Sequence, residues 1–203
     1  ALKKARTLLM MPDLLGYYLT GEKGTEYTNA TTTGLWDVKK RGWSREIMAK
    51  LDIPPDIFTA IDRAGTPRGR LKADIAKVLG VPQVPFAAVG THDTASAVAA
   101  IPGEGKFAFC SSGTWSLFGV ETKEPVLTDF VFDSNFSNEG TVQGGFRPLK
   151  NIMGLWLIQE CRRVWTREAG KEYTWPEIQA MARAPPPLQS IMDPDAPRFF
   201  TAG

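Results

Sequence analysis

The residue with the most chemistry to offer is a carboxylate placed where an apolar run gives way to small residues. Val84 to Val89 is short and apolar, Gly90 closes it, and Thr91-His92-Asp93-Thr94 leads into the small residues Ala95 to Ala100. Length and content predict a buried strand followed by a helix. Asp93 then stands beside backbone N–H groups that have no partner inside the helix. Two readings fit this place. An Asp or Thr at a helix start is commonly a cap, and position alone favours that reading. A carboxylate at the carboxyl edge of a strand also faces the crevice where α/β sheets bind ligands, and the helix terminus favours its charge. His92 is the only histidine in the chain, which excludes a metal site or triad assembled from several. As a hydrogen-bonding group it gains meaning only beside Asp93.

Two further segments carry polar groups in suggestive settings. In Cys110-Ser111-Ser112-Gly113-Thr114-Trp115 a glycine permits close backbone approach, and the hydroxyls could bond phosphate oxygens. An ordinary hairpin turn accounts for the same residues. In Asn151 to Gln159, six of nine residues are large and apolar, so the spacing predicts a nearly wholly buried helix. Asn151 and Gln159 would then share one face, roughly 12 Å apart along the axis, and each amide would need a partner. A cap for Asn151 and a surfacing edge for Gln159 fit equally well.

The elements that must position these residues follow from pattern. Residues 1–20 read as an amphipathic helix kinked by Pro12 and stopped by Gly21. Leu35 to Leu51 reads as a Trp-rich helical segment, Ile57 to Ile61 as a short helix, and Leu71 to Leu79 as a helix ended by Gly80. Pro102-Gly103-Glu104-Gly105 marks a boundary, after which Lys106 to Ser111 and Thr114 to Val120 read as a hairpin. Phe130 to Phe136 reads as a strand, Gly140 to Gly145 as a loop, and Asn151 to Ala169 as a helix. The proline-rich tail reads as loop.

Composition narrows the class. The 203 residues are 43% hydrophobic and 23% charged, enough to bury a core. A net charge of +2, with Lys39-Lys40-Arg41 as the longest basic cluster, gives no electrostatic reason to expect nucleic acid. No apolar run approaches a membrane span, and the start lacks a signal peptide's apolar stretch, so a cytoplasmic protein is expected. Cys110 and Cys161 fit neither a metal pattern nor a disulfide framework and are expected to be small buried hydrophobes. The start at Ala1-Leu2-Lys3-Lys4 and the end after Phe199-Phe200 look internal to a longer protein.

Four stretches occur in an order that makes them jointly specific: LLMMPDLLGYYLTGEKGTEYTNATTTGLWD, GTHDTASAVAAIP, CSSGTWSLFG and NEGTVQGGFRPLKNIMGLWLIQE. Together they resemble the FGGY family of carbohydrate kinases over nearly the whole chain. The resemblance implies an α/β, actin-like ATPase (ribonuclease H-like) fold that is partial, with the rear of a first domain and the front of a second. Residues 1–102 would belong to the sugar-binding domain and 103–203 to the ATP-binding domain. It implies ATP-dependent phosphorylation of a ketose, L-rhamnulose before fuculose or xylulose, with ATP and Mg²⁺ as cofactors. A catalytically incomplete segment that only binds ligand is the alternative. Carried over by motif, Asp93 matches the catalytic base, and His92, Thr94 and Asn151 match sugar contacts. Thr114 and Gln159 match ATP contacts. The family's Asp-x-Gly phosphate loop and Gly-Gly adenosine segment are not in these 203 residues, and no metal ligand is assigned. The oligomeric state stays open.

Overall fold

The computed structural model describes residues 2–103, 105–194 and 196–199, so Glu104 of the expected boundary and the final residues, Phe200 onward, lie outside the described residues. A 3-10 turn, Leu2–Lys4, precedes α1 (Met11–Thr20). Pro12 does not kink this helix. It sits in the first turn, where its missing N–H would have had no partner and its fixed φ suits the start. Gly21 ends α1 at φ 86°. The residues that α1 buries are Asp13 and Gly16, while Leu15 and Leu19 stay exposed.

β1 (Thr25–Glu26) runs straight into α2 (Tyr27–Ala30). The expected Trp-rich helix is instead an antiparallel pair, β2 (Trp36–Asp37) and β3 (Gly42–Trp43), followed by α3 (Arg45–Lys50). The cause is local. Asp37 Oδ1 accepts the N–H groups of Lys39 and Lys40 at 2.9 and 3.0 Å and closes a turn, and the Ser44 hydroxyl caps α3. The short helix expected at Ile57 is a 3-10 turn, Pro55–Ile57.

β4 (Ile61–Asp62) pairs parallel with β1, and β5 (Pro67–Arg70) leads to α4 (Ala73–Leu79), which Gly80 ends at φ 65° as expected. β6 (Pro85–Ala87) is a strand, yet a largely exposed one. It pairs only with β5 in a two-stranded ribbon, so one side of it has no sheet neighbour. α5 (Asp93–Ala99) follows.

β7 (Ala108–Ser112) and β8 (Trp115–Val120) form the expected hairpin. The strand expected at Phe130 is α6 (Asp129–Asp133), capped by the Thr128 hydroxyl, and the strand begins later, as β9 (Phe136–Gly140). β10 (Phe146–Met153) completes a sheet of order β7-β8-β10-β9. α7 (Trp156–Ala169) starts five residues later than expected, and a further helix, α8 (Trp175–Arg183), precedes the proline-rich tail. Its start was readable: Thr174 and Glu177 form a capping box around Trp175-Pro176. Cys110 and Cys161 are free but exposed, contrary to expectation; along β7 it is Phe109 that turns inward.

The chain divides into two compact units. The first runs to Phe109 and resumes over Gly119–Leu149; the second takes Cys110–Phe118 and the chain from Lys150 onward. The first unit's core holds Tyr27, Met48, Ile57, Leu71, Phe109, Phe146 and Leu149. A buried ion trio ties α1, β4 and β5 within it. Arg68 Nη1 donates to Asp13 Oδ1 at 2.6 Å, and Arg68 Nε donates to Asp62 Oδ2 at 2.7 Å. Burial pushes the Asp13 carboxyl above its usual range, and the guanidinium works against that. Gly24 exists for this trio, since a Cβ there would lie 2.4 Å from Asp62 Oδ2 and 2.9 Å from the guanidinium.

Removing Arg68 strands a buried carboxylate. Arg68→Met is expected to cost about 3–5 kcal/mol in urea unfolding, with part of the loss recovered when Asp13→Asn is added. An unchanged midpoint would refute the trio's role. In the second unit, Glu177 is held at a pKa of about 2, from 4.5, first by the Thr174 N–H, then by Lys171 and the Thr174 hydroxyl. A lowered carboxylate contributes stability above its unfolded value and loses it as pH falls toward its folded one. The protection of the Thr174 and Glu177 amides should therefore fall between pH 4.5 and 2 and be independent of pH there in Glu177→Gln. Equal profiles in the two proteins would count against the box.

Candidate functional site

Gly90 brings the chain out of β6 toward α5 where only a glycine fits, because a Cβ would lie 2.7 Å from Val142 Cγ2. The Ser96 hydroxyl reaches back to the Gly90 carbonyl. The next residues are gripped from below. Glu26, fully buried, accepts through Oε2 both the N–H and the hydroxyl of Thr91, each at 3.0 Å. The Thr28 hydroxyl, itself bonded to Glu26 Oε2, accepts the His92 N–H at 3.1 Å. The turn that carries Asp93 is thus held by two consecutive amides.

Asp93 opens α5, its side chain 99% exposed. It also takes the Thr94 N–H at 2.7 Å, so one amide of the helix start is satisfied by the carboxylate. His92, not Asp93, occupies the N-cap position and makes no side-chain cap. Thr94 is buried, with its hydroxyl 3.5 Å from Asp93 Oδ1.

The His92 ring is 21% exposed and lies between charged groups. Arg147 Nη2 stands 3.4 Å from Nδ1, and Glu139 Oε2 stands 3.9 Å from Nε2. A guanidinium can only donate, so the Arg147 contact uses Nδ1 as acceptor in the tautomer protonated on Nε2. In that state the 4.0 Å approach of Nδ1 to Asp93 Oδ1 is no ion pair.

Arg147 is wholly buried. Its Nε donates to the Gly140 carbonyl at 3.0 Å and its Nη2 to Glu139 Oε2 at 3.1 Å. Burial lowers its pKa, opposed by Glu139, Glu121, Asp93 and Glu26. The corner above it is pinned to α2: the Gly140 N–H donates to the Thr31 hydroxyl at 2.8 Å, and the Tyr27 hydroxyl donates to the Gly145 carbonyl at 2.9 Å. Among the described residues, Glu26 Oε1, Trp36 Nε1, Arg68 Nη2 and Arg147 Nη1 are buried without a hydrogen-bond partner, a rare condition in folded proteins.

Glu26, Thr28, Glu139 and Arg147 were missed in the sequence. Glu26 and Thr28 sit in a Thr-rich stretch that reads as loop. Arg147 did leave a signal: an arginine inside Phe146-Arg147-Pro148-Leu149 has to find a partner if the run is a strand.

The other expected site residues lie in the second unit. Thr114 is exposed in the β7–β8 turn. Its carbonyl accepts the N–H groups of Gly154 and Trp156 at 3.2 Å each, which leaves its hydroxyl turned to other uses. Gly154 permits this approach, as a Cβ would lie 2.6 Å from the Gly113 carbonyl. Asn151 is in β10 and Gln159 in α7, both exposed, so they do not share a helix face. The glycine breaks the apolar run into strand and helix, a division that periodicity alone does not reveal. α7 has no buried residue, because its unit supplies little beyond α8 and strand ends to cover it. Asn151, Thr114 and Gln159 are all exposed. The described residues contain no group of three or more His, Cys, Asp and Glu able to hold a metal ion.

Residues 1–100 match the N-terminal domain model, and residues 108–203 the C-terminal domain model, of the FGGY family of carbohydrate kinases. Rhamnulokinase from Bacteroides thetaiotaomicron is 40% identical over 96% of this chain and 39% of its own length. Rhamnulokinase from Bacillus subtilis is 36% identical over 98% of the chain and 40% of its own length. This chain thus spans about two fifths of the curated relatives it matches. In fold, it matches xylulose kinase from Lactobacillus acidophilus with a TM-score of 0.73 at 16% identity, over 91% of the chain and 36% of that protein. Gluconate kinase from the same organism gives 0.70 at 17% identity, over 91% and 37%. The fold is therefore part of the actin-like ATPase architecture of sugar kinases. With both of its domain models matched in order along the sequence, the chain belongs to the FGGY family of carbohydrate kinases.

Proposed function

We propose that this chain carries the catalytic-base segment of a cytosolic kinase that transfers the γ-phosphoryl group of ATP to the 1-hydroxyl of L-rhamnulose. The observation that carries the reading is Asp93: a fully exposed carboxylate on a turn whose preceding amides are tied to buried groups. The name shared by the relatives that match 96–100% of the chain supports the choice of sugar.

In the proposed reaction the sugar hydroxyl approaches Asp93, which accepts its proton as the oxygen attacks the γ-phosphorus. The new O–P bond forms in line with the bond that breaks to release ADP, and the proton stays on the carboxylate until solvent takes it. Phosphoryl transfer asks the protein chiefly for positioning and charge stabilisation. By the family motifs, His92 and Thr94 beside Asp93 serve as sugar contacts, and Asn151 of the second unit as a further one. Thr114 and Gln159 serve ATP. Magnesium bound with the nucleotide supplies charge neutralisation on the phosphates. The described residues form no cage for it, so none of the steps assigned to this chain runs through the ion.

In the intact kinase, Asp93→Asn should lower turnover by about 10²–10⁴-fold while sugar binding, read by calorimetry, persists. Unchanged turnover would sink the assignment of the base. A panel of L-rhamnulose, fuculose and xylulose compared by kcat/KM tests the sugar, and a preference for either of the others would replace L-rhamnulose.

A second reading has its own support in the two-fifths coverage: by itself the 203-residue chain binds ligand without turning it over. The purified chain is expected to release no ADP in response to sugar, and robust sugar-dependent release would refute this.

A further inference from the structure

We infer that Glu26 is the positioning residue of the catalytic turn: together with Thr28 it fixes Thr91 and His92 so that Asp93 is presented to the sugar hydroxyl. The inference rests on the reading of Asp93 as the base.

Glu26 Oε2 accepts from four donors, two on its own corner and two on a residue 65 positions away. These are the N–H and hydroxyl of Thr28 and the N–H and hydroxyl of Thr91. Oε2 is the acceptor in all four bonds, a role a carboxylate oxygen can fill. The Thr28 hydroxyl has a single proton and spends it on Oε2, so its lone pairs face outward to take the His92 N–H. One acidic side chain thereby orients a hydroxyl, and the pair holds both amides that precede Asp93.

Capping alone does not explain this. Glu26 does cap the four-residue α2, but Ser, Thr, Asp or Asn performs that task with a short side chain that need not be buried. A fully buried carboxylate is a costly choice unless its hydrogen bonds are used elsewhere, and here they are used on the Asp93 turn.

The corner is also rigid enough to serve as a datum. The Glu26 N–H donates to Asp13 Oδ2 at 3.4 Å, Asp13 is locked by Arg68, and β1 is registered on β4 through Glu26 and Asp62. From the other side, the Thr31 hydroxyl at the end of α2 holds the Gly140 N–H. Around Glu26 the charged neighbours are Asp13 and Arg147, with Tyr27 beside them. A shift of about 1 Å in a reacting group can cost on the order of 10²-fold in rate, so a loosened turn would register in turnover.

The test is a double-mutant cycle in the intact kinase with Glu26→Gln and Asp93→Asn. Glu26→Gln should lower kcat by about 10–100-fold with little change in the KM for ATP. In the Asp93→Asn background the same change should have almost no effect, because Glu26 acts only through Asp93. Equal losses in the two backgrounds, or no loss in either, would overturn the inference and leave the base assignment standing. Full turnover in Asp93→Asn alone would overturn both. Thr28 supplies a second variant should Glu26→Gln fail to fold. Thr28→Val should lower kcat and Thr28→Ser restore it, whereas equal kcat in the two counts against the clamp. In the 203-residue chain itself, the Thr91 and His92 amides should exchange slowly, and faster in Glu26→Gln; unchanged exchange would again overturn the proposal.

Discussion

The first unit depends on burying carboxylates where hydrophobic side chains would be cheaper. Asp13 and Glu26 are both shielded from water, only one hydrogen bond apart along the chain Asp13 Oδ2 to Glu26 N–H. Each is held by different partners: Arg68 for Asp13, and hydroxyls and amides on one oxygen, Oε2, for Glu26. A buried ion pair contributes little net stability over an apolar replacement, but breaking it is expensive. Such groups therefore specify geometry more than they add stability. In this unit they specify how α1, β1, β4 and β5 meet, and at the far end of the same chain of contacts, where Asp93 stands.

This explains a pattern that periodicity misjudges. The leucines of α1 suggest a helix lying on its apolar side, yet the residues it buries are Asp13 and Gly16. Gly16 lets the Phe86 ring approach to where a Cβ would be 3.2 Å away, and Asp13 reaches the guanidinium beneath. Hydrophobic pattern reports which residues prefer to leave water. It is silent on a polar residue that a distant partner has made affordable.

The same limit sorts what was legible. α4 and α5, the β7–β8 hairpin and the glycine stops at Gly21 and Gly80 follow from local chemistry, and local chemistry decides them. The place of Asp93 at a strand–helix junction was legible locally, but there it read as a cap, and only the order of the motifs ranked it as a base. Asn151 was placed in a helix because an apolar run around one glycine reads equally as strand or helix, and only pairing in the sheet decides between them. Cys110 is exposed because alternation along β7 assigns the inward face to Phe109. Glu26 was invisible for a different reason: its partner Thr91 lies 65 positions away. Motif order identified the family, but residues that hold a motif in place need not belong to it.

Asp93 combines two properties that usually exclude each other. Its carboxylate is 99% exposed, as a group meeting a substrate from solvent must be. Exposed side chains on short helices ordinarily gain that access by being mobile, and mobility would forfeit the alignment that phosphoryl transfer requires. The first unit separates the two demands by residue. Thr91 and His92 are held through their backbone amides to groups that water does not reach, and the His92 ring is held from its other side by Arg147. Asp93 itself keeps one tie, to the Thr94 N–H, which sets the carboxylate plane without removing it from solvent. In the proposed reaction precision is carried by the buried residues and reactivity by the exposed one, while the N-cap position itself belongs to His92 and Asp93 satisfies only the Thr94 N–H.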